Sequence, residues 1–350
     1  MTADPLVANR TAVARILFIE PFYSGSHRAF ADGLAERSVH EIVRLTLPGG
    51  EWRKRMRRGA QELAALSLEV EGPFDAVVAS DMLDLPAFLA LTRPRLADTP
   101  VLYYLHENQF TYPRLKGTKL NSWFGQINYL SAVVADRVAF NSDFHRRDFI
   151  AALRTMADSP NNWLVEDSIG EIEAKSSVLP VGLDLARFDT FAAAATDGPP
   201  NLLWNHRWEF DKEPELFARA VRRLAEEGLD FAVTIAGEPG DNPSPSLAAL
   251  VDAPGVRLAH FGYAASFDEY ARLLWASDIA VSTSRQEFFG VAMVEAMYCG
   301  AFPVAPARLN YPDLIPTQYH GASLFASEEE LVARLRDAIR SRMAGDPPLR

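Results

Sequence analysis

The sequence has a single cysteine, Cys299, among its 350 residues. One cysteine excludes an internal disulfide and any metal site built from several cysteines, and it favours a reducing compartment. Long apolar runs are also missing, since none approaches the roughly 20 residues that a membrane-spanning helix needs. Residues 1–12 lack the apolar core of a secretory signal. These absences predict a cytoplasmic protein without a membrane span.

Positive charge is the scarcer sign in this chain. The sequence has 35 Lys and Arg residues against 46 Asp and Glu residues, which gives a formal net charge of −11. This acidic balance argues against a protein that coats nucleic acid nonspecifically, but it leaves room for a local basic patch. The content of 48% hydrophobic and 23% charged residues is that of an ordinary globular chain, and the length suffices for two domains.

Short apolar runs alternate with helical patterns along the chain. This alternation predicts an α/β fold class with parallel sheets that are covered on both faces. The best linker candidate is residues 192–200, so we predict two domains, 13–190 and 200–345, with a cleft between their strand ends. The predicted strands lie at 15–20, 39–47, 74–79, 100–105, 137–141, 177–181, 201–205, 231–236, 256–261, 278–282 and 301–305.

Two carboxylates with seven residues between them, Glu287 and Glu295, follow one of these apolar runs. Glu287 is predicted on a loop at the carboxyl end of a parallel strand, and Glu295 inside the next helix. Ligands of open parallel sheets bind at such strand ends, and the amides of a helix start, here Phe289, Gly290 and Val291, favour anions. The alternative is an exposed loop glutamate and a helical salt-bridge partner. The apolar neighbours disfavour this alternative, since a buried charge without a partner is costly.

Other strand ends carry cations and glycines. Arg207 and Lys212 follow the first strand of the second half, and Gly262 follows a later strand. Two cations near a helix start suit a diphosphate, and carboxylates suit sugar hydroxyls, since ionised oxygens accept two hydrogen bonds each. Together they describe a nucleotide-sugar site. Gly25 follows the first strand and could let a ligand approach the backbone, although a plain turn is the alternative.

His106 stands directly after the strand at 100–105 and begins a polar and aromatic stretch that includes Asn108. Because ligands collect at strand ends, His106 is a candidate for a substrate contact and Asn108 for a contact with the acceptor. A purely structural histidine is the alternative.

A basic run opens a predicted helix that extends to residue 66. It could contact a phosphate backbone, or it could be a solvated helix face. The aromatic residue that opens the run could stack on a base or anchor the core. Arg146 and Arg147 form a second basic patch. The run contains Trp52, Arg53, Lys54, Arg55, Arg57 and Arg58.

The segment Glu287-Phe-Phe-Gly-Val-Ala-Met-Val-Glu295 resembles the Glu-x7-Glu motif of the retaining GT-B glycosyltransferases of family 4. Residues 179–188 are similar to the segment between the two domains of that family. Residues 18–27, 80–86 and 104–113, the last reading Tyr104-Leu-His-Glu-Asn-Gln-Phe-Thr-Tyr-Pro113, look like the tRNA-queuosine mannosyltransferase group within it.

The resemblance implies two Rossmann-like domains and a metal-independent transfer of mannose from GDP-mannose to queuosine in a tRNA anticodon loop. It implies that Glu287 lies near the donor sugar, that Glu295 holds the ribose, and that His106 contacts the sugar. Arg207 and Lys212 would stabilise the diphosphate. The sequence contains no Asp-x-Asp motif and is predicted to form no compact His/Asp metal cluster. A family 4 enzyme with a small-molecule or lipid acceptor, and a noncatalytic nucleotide-sugar or RNA-binding protein, are the alternatives.

Overall fold

The computed structural model describes residues 12–113, 122–160, 162–193, 198–239 and 244–345. The chain separates into two compact units, with the main division between Leu183 and Asp184. The 3₁₀-helix Leu185–Phe191 belongs to the second unit, where Phe188 is fully buried among residues of that unit's core. Within the described residues, no helix combines the length and the apolar character that crossing a bilayer would require.

The first unit is built on a six-stranded parallel sheet with the order β2-β1-β3-β4-β5-β6. Its strands are β1 (Arg15–Tyr23), β2 (Glu41–Pro48), β3 (Ala76–Ser80), β4 (Val101–Leu105), β5 (Arg137–Phe140) and β6 (Ser176–Val178). Its helices are α1 (Gly25–Arg37), α2 (Trp52–Ser67), α3 (Leu85–Leu96), α4 (Ser122–Val134), α5 (Asp143–Ala157) and α6 (Glu166–Ala174).

Strand β1 lies inside this sheet and explains why the sequence reads as a continuous apolar run there. Leu17, Phe18 and Ile19 are at most 1% exposed, because helices cover both faces of a parallel sheet. The strand is longer than the run predicts. It continues to Tyr23, which pairs with Pro48 after a register shift, and α1 begins at Gly25. The predicted loop after residue 20 is therefore very short, and His27 lies in the helix.

The second unit contains another six-stranded parallel sheet, with the order β12-β11-β10-β7-β8-β9. Its strands are β7 (Asn201–Trp204), β8 (Ala232–Ala236), β9 (Arg257–Gly262), β10 (Ile279–Val281), β11 (Phe302–Pro306) and β12 (Leu324–Phe325). Its helices are α7 (Pro214–Glu226), α8 (Pro245–Ala248), α9 (Phe267–Trp275), α10 (Val291–Tyr298), α11 (Tyr311–Leu314), α12 (His320–Ser323) and α13 (Glu328–Met343).

The prediction of an α/β protein with two parallel sheets is confirmed. Every predicted apolar run overlaps an observed strand, whereas the two-residue strand β12 was not predicted. Helices α3 and α6 were not predicted either. Pro86 and Pro94 both lie in α3, and Gly170 lies in the nine-residue α6, so the usual helix signals are weak in both.

Candidate functional site

The loop between β10 and α10 carries Glu287, as the sequence predicts. Its carboxylate turns back on its own loop, where Oε1 accepts hydrogen bonds from the amides of Gly290 at 3.0 Å and Phe289 at 3.4 Å. The side chain of Glu287 remains 22% exposed. A carboxylate at a helix start is favoured by the helix dipole, and here it also fixes the shape of the loop.

Gly290 permits the sharp entry into α10. Its φ is +102°, a conformation that side chains rarely adopt, and a Cβ there would lie 3.1 Å from Cδ2 of Leu314. Asn310 donates a hydrogen bond to the carbonyl of Phe289 at 2.7 Å and steadies the same turn. Val291 is the first residue of the helix. The three predicted donor-binding residues 289–291 therefore form one rigid turn.

Lys212 meets this loop in space. Its Nζ donates to the carbonyl of Gln286 at 2.8 Å and lies 3.2 Å from Asp211 Oδ2 and 3.6 Å from Glu287 Oε2. Burial opposes the charge on Lys212, but attraction to Glu287 and then Asp211 outweighs burial and raises its pKa above the ordinary value. The side chain of Lys212, only 12% exposed, is thus held as a cation between carboxylates.

The backbone around Lys212 is anchored to the same loop. The hydroxyl of Thr283 donates to the carbonyl of Lys212 at 2.7 Å, and the amide of Arg285 donates to the carbonyl of Asp211 at 2.7 Å. The indole of Trp204, fully buried in the core, donates to Thr283 Oγ1 at 3.1 Å. The ends of β7 and β10 therefore bring the predicted cation and the predicted carboxylate together.

Arg207 is placed differently from Lys212. Its side chain is 56% exposed, and its Nη1 pairs with Glu209 Oε1 at 3.0 Å. The neighbouring backbone needs a glycine, because a Cβ at Gly237 would lie 1.9 Å from the carbonyl oxygen of His206. Gly262 ends β9, and its carbonyl accepts from the amide of Gly237 at 3.0 Å. Arg207 therefore stands on a tightly packed turn while its head reaches the surface.

Glu295 lies within α10, 7% exposed, and both of its oxygens have partners. Arg187 Nη2 donates to Oε1 at 3.0 Å, and the Tyr270 hydroxyl donates to Oε2 at 2.8 Å. Burial raises the pKa of Glu295, while the hydrogen bond from Tyr270 and the charge of Arg187 oppose that rise. Asn205 Nδ2 donates to the same tyrosine oxygen at 3.1 Å and completes the chain of contacts.

In the first unit, His106 follows β4 at the predicted position. Its imidazole is 8% exposed, and within the described part of the chain its buried Nε2 has no hydrogen-bond partner. Burial, and after it the charges of His27 and His145, hold the pKa of His106 well below its usual range. A neutral imidazole with an unused ring nitrogen can hydrogen-bond a substrate hydroxyl in either direction.

Glu20, His27 and His106 come together in the described structure, with potential ligand atoms within 4.8 Å of one another. The sequence predicts no compact His/Asp cluster, and this cluster instead joins one glutamate and two histidines. Contacts across the fold create the cluster, which sequence spacing does not reveal. The rings of His27 and His106 lie against each other, with centroids 4.1 Å apart and planes 36° apart. The two rings therefore contact each other, and Glu20 Oε2 already pairs with His27 Nδ1 at 3.1 Å.

Two further predicted residues of the first unit are placed mainly by packing. Asn108 is fully buried, and its Oδ1 accepts from the amides of Phe110 at 3.0 Å and Thr111 at 3.1 Å. It orders its own loop and has no exposed surface to offer an acceptor. Gly25 opens α1 with φ +51°, and no atom would lie within 4 Å of a Cβ added there.

The basic run forms the first turns of α2, which begins at Trp52. Four of its cations are exposed, whereas Arg55 is half-buried and donates to the Pro48 carbonyl at 3.0 Å. The Trp52 ring lies 5.2 Å from the Phe124 ring and has the Arg53 guanidinium 4.6 Å from its centroid. Trp52 therefore anchors the patch. An open depression of about 650 Å³ is lined here by Glu51, Trp52, Arg53, Lys54, Arg57 and Arg58.

The second basic patch is weaker. Arg146 and Arg147 both pair with Asp143 in the first turn of α5, at 3.3 Å and 3.1 Å. One carboxylate thus offsets part of the charge of two guanidinium groups, so the start of α2 is the stronger candidate for binding an anion.

Comparisons with known proteins match both halves of the chain. Residues 15–183 match the family described as tRNA-queuosine alpha-mannosyltransferase N-terminal, and residues 199–341 match the family described as glycosyl transferases group 1. The tRNA-queuosine alpha-mannosyltransferase of Drosophila melanogaster is 32% identical over 338 residues, which are 94% of this chain and 88% of the relative. The chain belongs to the tRNA-queuosine alpha-mannosyltransferase family.

More distant matches extend beyond this family. A GDP-mannose-dependent alpha-(1-6)-phosphatidylinositol dimannoside mannosyltransferase of Mycobacterium tuberculosis is 24% identical, over 85% of this chain and 74% of the relative. The structure of a UDP-forming alpha,alpha-trehalose-phosphate synthase of Burkholderia xenovorans superposes with a TM-score of 0.66 at 12% identity, covering 95% of each chain. The fold is GT-B, as the sequence resemblance implied.

Several residues that contact the predicted site residues were not predicted from the sequence. Arg187 and Tyr270 hold Glu295, and Glu20 and His27 contact the neighbourhood of His106. One signal was available. Glu20 ends an otherwise apolar strand run, and a charge in a buried run needs a partner. The identity of that partner could not be read, because it depends on the position at which α1 begins.

Proposed function

We propose that this chain is a retaining alpha-mannosyltransferase that moves mannose from GDP-mannose to queuosine in a tRNA anticodon loop. Membership of the tRNA-queuosine alpha-mannosyltransferase family supports the reaction and the acceptor. The mycobacterial relative is a GDP-mannose-dependent mannosyltransferase, which supports GDP-mannose as the donor. The observation that carries the proposal within the structure is the contact of Lys212 with the Glu287 loop, next to a helix start.

The site is suited to stabilising the negative charge that develops on the leaving group. When the bond between sugar and phosphate breaks, negative charge grows on the departing diphosphate. Lys212 is held as a cation beside the amide-rich turn before α10, and Arg207 adds an exposed cation paired with Glu209. Both can neutralise that charge without changing protonation state. Glu287 would position the sugar and Glu295 the ribose, as acceptors of hydroxyl hydrogen bonds.

We assign the retention of configuration at the anomeric carbon to attack by the acceptor on the same face of the sugar as the leaving group. Glu287, the carboxylate nearest to the cation, already caps its loop and pairs with Lys212, so it is poorly placed to serve as a nucleophile. In the proposed step the acceptor oxygen bonds to the anomeric carbon while the carbon–phosphate oxygen bond breaks. The leaving diphosphate takes the acceptor's proton. No metal enters this scheme, since Lys212 and Arg207 supply the positive charge.

The tRNA would bind at the exposed cations that open α2. They form a local positive surface on an acidic protein, which is what a phosphate backbone requires. With a tRNA acceptor, the reaction would take place in the cytoplasm. The mycobacterial relative's name specifies a lipid acceptor, so a lipid acceptor is the competing outcome of the test.

Charge reversal on α2 separates these acceptors. The variants are Arg53→Glu and Arg57→Glu, and the matched control is Arg93→Glu, an exposed arginine on α3 of the same unit. With tRNA as acceptor, each α2 variant should weaken binding and flatten its dependence on salt by roughly one contact, whereas the control should do neither. Transfer that is insensitive to both charge reversal and salt would refute the tRNA surface.

The donor is tested by thermal unfolding with a panel of nucleotides. A ligand that binds only the folded protein stabilises it by RT ln(1 + [L]/Kd). GDP and GDP-mannose should raise the unfolding temperature more than UDP and UDP-glucose at equal concentration. A uridine preference would overturn the GDP-mannose assignment, and no response or transfer with any nucleotide sugar would favour a noncatalytic binding protein.

A further inference from the structure

The ion pair between Glu20 and His27 is buried in the first unit and belongs to none of the predicted sites. Glu20 lies in the last part of β1 and is 0% exposed. His27 lies in the first turn of α1 and is 7% exposed. Glu20 Oε2 lies 3.1 Å from His27 Nδ1, and Oε1 accepts from the amide of Phe22 at 2.8 Å. Both carboxylate oxygens thus have defined partners, and the pair is fixed to the backbone.

His106 is the ring against which this pair rests. The His27 and His106 centroids are 4.1 Å apart, and Phe30 meets His106 edge-on at 5.0 Å. The backbone of His106 is held as well. Its amide donates to Asp81 Oδ1 at 3.2 Å, and its carbonyl accepts from Asn141 Nδ2 at 2.8 Å. The His106 ring therefore packs against His27, Phe30 and Tyr104, with His27 at the shortest centroid distance, on a backbone that is already fixed.

The charges in this cluster are unequal. Burial alone would lower the pKa of His27, but the charge and hydrogen bond of Glu20 outweigh it and raise the pKa to about 9. At neutral pH an imidazolium therefore lies against a neutral imidazole. The charged or titratable groups that face the two rings from the surrounding elements are Glu20, Asp81, Glu107 and His145.

We propose that the Glu20–His27 ion pair is the positioning element for His106 in glycosyl transfer. Its cation packs on one face of the His106 ring, keeps that ring neutral and directs the unused Nε2 to the substrate. This inference rests on the proposed function, which assigns His106 to the donor sugar. His27 acts through His106 and needs no contact with the reacting atoms. Both glutamate and histidine are then required, whereas a structural role would need only their volume.

The dependence of the transfer rate on pH tests the proposal with three variants. In the wild type, kcat should fall as pH rises through about 9, where His27 loses its proton. Glu20→Gln removes the partner charge and should move this fall to lower pH by about one unit or more. His27→Phe keeps a stacked ring without a charge and should abolish that limb and lower kcat. Glu36→Gln, an exposed glutamate on α1, is the control and should leave the profile unchanged.

An NMR titration gives a readout that does not depend on catalysis. In protein with isotope-labelled histidines, Glu20→Gln should lower the titration midpoint of His27, and His27→Phe should shift the resonances of the His106 ring. If the wild type is active and Glu20→Gln shows the same fall of kcat at high pH as the wild type, the positioning role is overturned. No transfer by the wild type, with the NMR shifts as expected, overturns the proposed function instead. If Glu20→Gln fails to fold, the pH profile of His27→Phe is the test. A fall of kcat at high pH that persists in His27→Phe refutes the inference.

Discussion

Replacing Lys212 by methionine removes the positive charge that contacts both Asp211 and Glu287. Methionine keeps most of the length and the apolar stem, so packing changes little. The substitution takes away the ammonium group that lies 3.2 Å from Asp211, which is 0% exposed, and 3.6 Å from Glu287. Removing a cation from buried carboxylates is costly, because proteins tolerate buried charge only where it is well paired.

The expected cost follows from burial. Breaking a buried ion pair by removing one partner costs roughly 3–5 kcal/mol, and Lys212 is 12% exposed. Lys54 provides the contrast. It pairs with Glu51 at 3.1 Å, but the two side chains are 50% and 75% exposed. Exposed pairs of this kind contribute about 0.2–1 kcal/mol. We therefore expect Lys212→Met to destabilise the protein several times more than Lys54→Met.

Urea unfolding at neutral pH, followed by tryptophan fluorescence, measures both variants against the wild type. Hydrogen exchange assigns the loss to one unit, since a two-unit chain need not unfold in one step. An equal loss in both variants would refute the buried-pair reasoning.

Three further outcomes are expected. Gly290→Ala should destabilise the second unit by about 1–2 kcal/mol in urea unfolding, because of the positive φ and the close Leu314, whereas Gly321→Ala, with open space around it, should not. Tyr270→Phe removes a hydrogen bond that lowers the pKa of Glu295, so calorimetry should find donor binding weakened more at pH 6 than at pH 8. His27 contributes on the order of 3 kcal/mol in full below pH 6.5, and this is lost as pH rises through about 9. The wild type should therefore lose more stability than His27→Phe between pH 6.5 and 9.5, and equal losses would contradict the raised pKa.

Much of the fold could be predicted because parallel strands, buried on both faces, read as short unbroken apolar runs. The placement of Glu287 on a loop and Glu295 in a helix followed from the same reading. The ends of the strands and helices were predicted less accurately than their positions, as β1 shows. Its apolar run stops at residue 20, but pairing with β2 extends the strand to Tyr23 and draws His27 into α1.

The supporting contacts of the site could not be predicted from the sequence, because they join residues that are distant along the chain. Arg187 and Glu295 are separated by 108 positions. No periodicity or local spacing relates them. Arg187 lies in the segment that resembles the family's interdomain region, yet only the packing of Phe188 into the second unit's core turns its guanidinium toward α10. Such partners depend on tertiary structure alone.

The two hydrogen bonds to Glu295 have a consequence for how a ligand would be received. An ionised carboxylate has about four lone-pair sites, and Arg187 and Tyr270 use one on each oxygen. Two sites remain, and under the proposed function the hydroxyl groups of a ribose would use them without displacing either partner. These two contacts already order the side chain, and preorganisation of this kind leaves more of the interaction energy for affinity.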